Sequence, residues 1–189
     1  QCLIREFVKK VSGHRLFKPR IVICVPSFIT DVESRAVVEA AMNAGSRKVY
    51  LIQEPIAAIL GAGVNMSKAR GHLVVDIGGG TTDVAVVSMN GVVTSRSIKT
   101  AGNIIDQAIV RYMQKRHKIL IGDRTAEMIK KEMTNLYDPN DDVKMNIGGR
   151  SLLKGLPETV TISELEVFDA VEDEVFEIVE AIRSLLEDT

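Results

Sequence analysis

Tryptophan is absent from the 189 residues, and aromatic side chains make up only 4% of them. With a formal net charge of −1, this excludes the basic, aromatic-studded surface that nucleic-acid binding needs. There are two cysteines, Cys2 and Cys24, too few for a disulfide framework. They point instead to a reducing, cytoplasmic setting. Apolar runs all fall short of the roughly 20 residues that span a bilayer. No signal peptide is visible, although the chain begins at Gln1 rather than Met and reads as an excised fragment. The histidines, His14, His72 and His117, have no metal-ligand spacing and no neighbouring nucleophile, so they read as surface or packing residues. What remains is 46% hydrophobic and 26% charged, the make-up of an ordinary soluble chain with a core.

Against this background one stretch stands out: Asp76-Ile77-Gly78-Gly79-Gly80-Thr81-Thr82-Asp83. It lies between two apolar, β-branched runs, Leu73–Val75 and Val84–Val87, which read as buried strands. Three glycines in a row permit backbone conformations and close approaches that a Cβ blocks. Successive amides in such a turn form an anion-binding concavity, to which Thr81 and Thr82 add hydroxyls. Asp76 repels a phosphate directly, but it can hold hydrated Mg²⁺ or orient a water. The plain alternative is a tight hairpin with no ligand. The chain has no GxxxxGK[ST], and the turn leads into a strand rather than a helix, which argues against both common phosphate fingerprints. Asn90-Gly91 is the expected two-residue turn into a third strand over 92–98.

Elsewhere the order of elements is legible. Residues 1–11 read as a short helix end, Ile21–Val25 and Val49–Ile52 as fully buried strands, and the alternation of strand and helix as a parallel α/β core. Thr30 and Glu33 form a capping-box pattern, and Gly45 is placed to end that helix. Gln53-Glu54-Pro55 opens a helix that ends near Gly61 and Gly63. Helical spacing continues through Ile104, Ile105, Ala108, Ile109 and Tyr112, and then from Thr125 with Met128, Ile129 and Met133 on the apolar side. Two strands at 143–147 and 159–162 precede a last helix, capped by Ser163 and Glu166, that runs to about Leu186.

DIGGGTTD followed by VAVVS, with EPIAAILGAG before it and IGDRTAEMIKKE after it, resembles the actin superfamily and, within it, the MreB family. The resemblance covers essentially the whole chain. It implies the α/β actin-like ATPase (ribonuclease H-like) fold, of which this fragment covers parts of both lobes. The expected division is 1–72, the C-terminal part of the first lobe, and 73–189, the N-terminal part of the second. It further implies ATP and Mg²⁺ as cofactors and ATP hydrolysis that accompanies assembly. The expected product is a membrane-associated filament of like protomers on the cytoplasmic face of an anionic inner membrane, working with cell-wall elongation proteins in peptidoglycan synthesis and cell shape. The alternative on the same fold is a small-molecule kinase or a chaperone-type ATPase. No DxGT-type strand and no later GGG-type turn occur, so the remaining parts of the nucleotide site are expected outside this chain.

Site roles follow residue by residue. Glu54, at a strand exit and fixed by Pro55, is expected to orient the water that attacks the γ-phosphate. Without the resemblance it reads as a first-turn acid favoured by the helix dipole. Relatives often have Glu at the position of Gln53, and also at that of Asp83, which reads as a loop-fixing residue. Asp76 is assigned Mg²⁺ through water, and Gly78, Gly79, Gly80, Thr81 and Thr82 the phosphates or the closure of the lobes. Glu127 and Lys130 share a helix face and are assigned the ribose and base, the plain alternative being a solvated ion pair. Leu16 and Phe17 lie in a segment with no acidic residue from Phe7 to Ile29, flanked by Arg15 and Lys18. That pattern suits insertion into an anionic leaflet, or else Phe17 packs back on the sheet.

Overall fold

The computed structural model describes residues 2–12, 18–27 and 29–188. Leu16 and Phe17, the expected membrane loop, and His14 lie outside the described residues. Contacts divide the chain into two units: residues 1–76, 83–97 and 188–189 in the first, 77–82 and 98–187 in the second. Among the described residues, no helix is long and apolar enough to cross a membrane.

In the first unit, α1 (Cys2–Ser12) precedes β1 (Arg20–Val25), α2 (Asp31–Asn43), β2 (Lys48–Gln53) and α3 (Glu54–Gly61). β1 and β2 pair in parallel from Arg20↔Lys48 to Val25↔Gln53, with α2 as the crossover. Both helices are ended and begun by local chemistry. Thr30 caps α2, taking the Glu33 amide while the Glu33 carboxylate takes the Thr30 amide at 2.9 Å. Gly45, at φ +107°, closes α2 with amide bonds Gly45→Met42 and Ser46→Ala41, the paired bonds of a Schellman motif. Gly63, at φ +69°, closes α3 in the same way, with Gly63→Leu60 and Val64→Ile59.

β3 (His72–Ile77), β4 (Thr82–Ser88) and β5 (Gly91–Ile98) form a sheet in that order. β4 is the central strand, and every residue from Thr82 to Val87 is buried. The expectation of full burial fails for the other runs. In β1 the pattern alternates, with Val22 64% exposed and Val25 buried. Tyr50 in β2 and Leu73, Val75 and Ile77 in β3 are also exposed. These strands pack one face only among the described residues, and a β-branched run does not distinguish a one-faced edge strand from a central one. The hairpin turn also sits one residue earlier than expected. Met89 (φ 48°) and Asn90 (φ 63°) are its two left-handed residues, as a primed turn requires, and Gly91 already begins β5.

The second unit continues with α4 (Gly102–Tyr112), a π-helical turn over Met113–His117, β6 (Ile119–Leu120), α5 (Asp123–Met133), β7 (Lys144–Ser151), β8 (Pro157–Ser163) and α6 (Glu164–Glu187). β6, β7 and β8 form an antiparallel sheet. Its core gathers Ile109, Met113, Ile119, Ala126, Ile129, Ile147, Ile162 and Val171. On α5 the buried positions Ala126, Ile129 and Met133 share one face at spacings of three and four, and Met128 lies off that face and is exposed. Ser163 and Glu166 exchange amide bonds at 3.2 and 3.4 Å, so the expected cap of α6 is present. His117 bonds Glu166 at 2.9 Å, tying the π-helical turn to that cap.

Gly149 in β7 fits only as glycine. An added Cβ would collide with the Ile119 side chain and stand 2.8 Å from the Leu120 carbonyl oxygen. Gly148 beside it faces open space. Gly149→Ala is therefore expected to cost about 1–3 kcal/mol by urea unfolding, and Gly148→Ala close to nothing. Equal stability of the two variants would contradict the close approach of β6 and β7.

Candidate functional site

The turn between β3 and β4 is built by hydrogen bonds that need small residues. The Gly78 amide donates to the Thr81 carbonyl at 2.9 Å, closing it. Two further amides, from Gly102 to the Gly78 carbonyl (3.0 Å) and from Asn103 to the Gly79 carbonyl (2.8 Å), come from the first turn of α4. No side chain caps α4, since Ala101 stands at its N-cap, so the carbonyls of the turn satisfy its first amides. The contact is close. A Cβ on Gly102 would meet the Gly78 carbonyl at 3.2 Å, and one on Gly79 would meet the Asn103 side chain at 3.4 Å. None of Gly78, Gly79 and Gly80 has positive φ; a Cβ would be crowded at Gly78, 3.3 Å from the Thr81 carbonyl oxygen, in ordinary contact at Gly79 and in open space at Gly80.

The Gly78 and Gly79 carbonyls are turned to α4 and the Thr81 carbonyl to the Gly78 amide, while the amides of Gly79, Gly80 and Thr81 have no acceptor among the described residues. All three residues are exposed. An exposed run of unpaired amides is a cradle for an anion. The two threonines then differ. Thr81 is exposed, while Thr82 is fully buried and its hydroxyl donates to the Thr100 carbonyl at 2.7 Å.

Lys130 on α5 reaches the same place. Its ammonium pairs with Asp106 at 2.8 Å and donates to the Gly102 carbonyl at 3.0 Å, with both side chains largely buried. Glu127 does not pair with Lys130. It pairs with Lys131, whose hydrogen bond and charge hold the Glu127 carboxyl below its ordinary range. Asn103 and Asp106 were not foreseen from the sequence. The only signal for Asp106 was its position one turn into an amphipathic helix that starts just after a strand.

In the first unit, Glu54 opens α3 directly after β2, with Pro55 buried behind it. Its carboxyl is held above the usual 4.5, first by burial and then by the Asp83 and Asp76 carboxylates. Asp83 is buried, and its Oδ1 has no hydrogen-bond partner among the described residues. An orphaned carboxylate oxygen beside a raised carboxyl marks a place for a water or an ion. Among the described residues, no group of three or more histidine, cysteine, aspartate or glutamate side chains is arranged to hold a metal ion directly.

The strand, glycine turn, strand and hairpin, followed by a helix docked on the turn, belong to the actin-like fold. The family model described as MreB/Mbl protein matches residues 1–189. The cell shape-determining protein Mbl of Bacillus subtilis strain 168 is 43% identical, over 100% of this chain and 57% of that protein. The cell shape-determining protein MreB of Escherichia coli K12 is also 43% identical, over 98% of the chain and 54% of that protein. A crystal structure of MreB5 of Spiroplasma citri bound to ADP superposes with a TM-score of 0.92 at 34% identity, over 100% of this chain and 56% of that one. The chain belongs to the MreB/Mbl family, and it spans about half the length of these relatives.

A carboxyl held above its unfolded value when the protein folds penalises its ionised form. Any stability linked to the neutral form is present below about 4.5 and lost as pH rises through the folded-state value. Glu54→Gln is therefore expected to unfold at higher denaturant than the parent at pH 7, with the gain vanishing below that value. A gain that persists unchanged into acid would show that burial and the two aspartates do not act on ionised Glu54.

Proposed function

We propose that this chain carries the phosphate-binding turn and the water-directing carboxylate of an ATP-dependent actin-like filament protein that shapes the cell wall. The observation that carries the reading is the exposed run of amides at Gly79, Gly80 and Thr81, the first two held outward because the Gly78 and Gly79 carbonyls cap α4. Three such donors suit the β- and γ-phosphates of ATP. The ADP bound in the crystal structure of MreB5 supports a nucleotide as the ligand.

Each side chain then has a task. Glu54, with its raised carboxyl, is the base that orients the attacking water, since a carboxyl nearer neutral pH accepts a proton more readily. Asp76 would hold Mg²⁺ through water, and the ion would offset phosphate charge. Asp83 Oδ1, unpaired among the described residues, would take a water there. Thr81 contacts phosphate, and Thr82 relays the state of the turn into the strand. Lys130 fixes the α4 end beside the ribose, and Glu127 reaches the ribose or base after leaving Lys131. Residues 1–72 belong to one lobe and 73–189 to the other. The remaining nucleotide contacts lie in the rest of the protein, so this chain alone binds ATP weakly.

Protomers of the intact protein associate with one another, and Leu16 and Phe17 insert into the anionic inner leaflet from the cytoplasmic side. The basic residues around them add about 1 kcal/mol each near such a surface. A two-residue anchor is weak, and many protomers along a filament multiply it. Cell-wall elongation proteins are the partners that such a filament organises.

Sedimentation of the intact protein with Mg²⁺-ATP and anionic liposomes tests the whole reading. The parent is expected to pellet only with nucleotide and to carry lipid with it. Leu16→Ser with Phe17→Ser is expected to pellet without lipid, and Glu54→Ala to pellet while releasing phosphate at least tenfold more slowly, as loss of a positioned base predicts. Protein that stays in solution under every condition while turning over ATP would overturn the filament assignment.

A further inference from the structure

The buried Thr82 hydroxyl ends in a second bond. It donates to the Thr100 carbonyl at 2.7 Å, and the Thr100 hydroxyl in turn donates to Glu177 Oε2 at 2.6 Å. Thr82 and Thr100 are both buried, and Glu177 stands midway along α6, the 24-residue helix that closes the second unit. A carboxylate that accepts a hydroxyl at this distance makes a charge-assisted bond, stronger than a neutral pair. Thr82 begins β4 directly after the glycine turn, and Thr100 lies two residues before Gly102, whose amide caps onto Gly78. Glu177 therefore holds, through one residue, both the strand that leaves the turn and the segment that returns to it.

We propose that Glu177 is a positioning residue for the phosphate turn, acting from α6 through Thr100 and Thr82. This rests on the reading of the turn as a phosphate cradle. Glu177 touches no ligand. By fixing Thr100 it keeps the amides of Gly79, Gly80 and Thr81 aligned before nucleotide arrives, so that binding does not pay to order them. Without it, the turn is ordered only on binding and affinity falls. The same path makes α6 a lever on the site: a contact that shifts α6 alters how well the turn grips a phosphate.

The test is nucleotide binding to the intact protein by calorimetry, with ADP and ATP as the probes and thermal unfolding as a check on folding. Glu177→Ala is expected to weaken both about fivefold, the equivalent of one net hydrogen bond, and Glu177→Gln, which keeps an acceptor, to restore most of it. Thr100→Val is expected to match Glu177→Ala, and Thr100→Ser to bind as the parent does. Because the two residues act through one bond, the double variant should be no weaker than either single. A parent that binds and a Glu177→Ala variant that binds equally well would overturn the relay alone. A parent that binds neither nucleotide would overturn the phosphate reading and the relay with it. If Glu177→Ala does not fold, Thr100→Val against Thr100→Ser decides the same question, and equal affinities there also overturn it.

Discussion

Two amide bonds from the first turn of α4, Gly102 to Gly78 and Asn103 to Gly79, set most of what this chain can do. A helix start leaves amides without partners, and here no side chain supplies them. The carbonyls of the glycine turn do so instead. The Gly78 and Gly79 peptide planes are thereby oriented with oxygens toward the helix and the Gly79 and Gly80 amides away from it, and these amides and that of Thr81 have no partner among the described residues. The approach is close enough that Gly78 and Gly102 have little room for a side chain. The first amides of α4 are taken by the turn, so the turn, not the helix, is left with outward amides.

Around this contact, polar groups from distant parts of the second unit converge. Lys130, ion-paired with Asp106, donates to the Gly102 carbonyl and so braces the helix start from α5. Thr82 and Thr100 brace the exit strand. In the first unit the carboxyl of Glu54 is raised by burial and by its two aspartate neighbours, one of which keeps an unpartnered oxygen. An unpaired amide run in the second unit and, in the first, a group of carboxylates with an open oxygen are each costly features for a fold to keep.

What was legible in the sequence was what depends on near neighbours. Capping boxes at Thr30 and Ser163 span three residues, and the glycines that end α2 and α3 act within one turn, so both appear where the pattern places them. The order of strands and helices was legible for the same reason, and the motifs around Glu54 and Gly78–Gly80 carried the family. Burial was not. β1, β3 and β4 are alike in composition, yet only β4 is central. The hairpin turn moved from Asn90-Gly91 to Met89-Asn90 because pairing, not glycine, chose the left-handed positions. Lys130 was singled out in the sequence, but its partner Asp106 lies on another helix, and the Thr100–Glu177 bond joins residues far apart in sequence. No local pattern announces such pairs.

Amide hydrogen exchange of the turn, measured residue by residue on the intact protein with and without Mg²⁺-ADP, tests the central claim most directly. Gly102 and Asn103 are expected to be protected in both states, while Gly79, Gly80 and Thr81 exchange freely alone and become protected at saturating nucleotide. Unchanged exchange at Gly79, Gly80 and Thr81 under saturation, or free exchange at Gly102 and Asn103 without nucleotide, would contradict it.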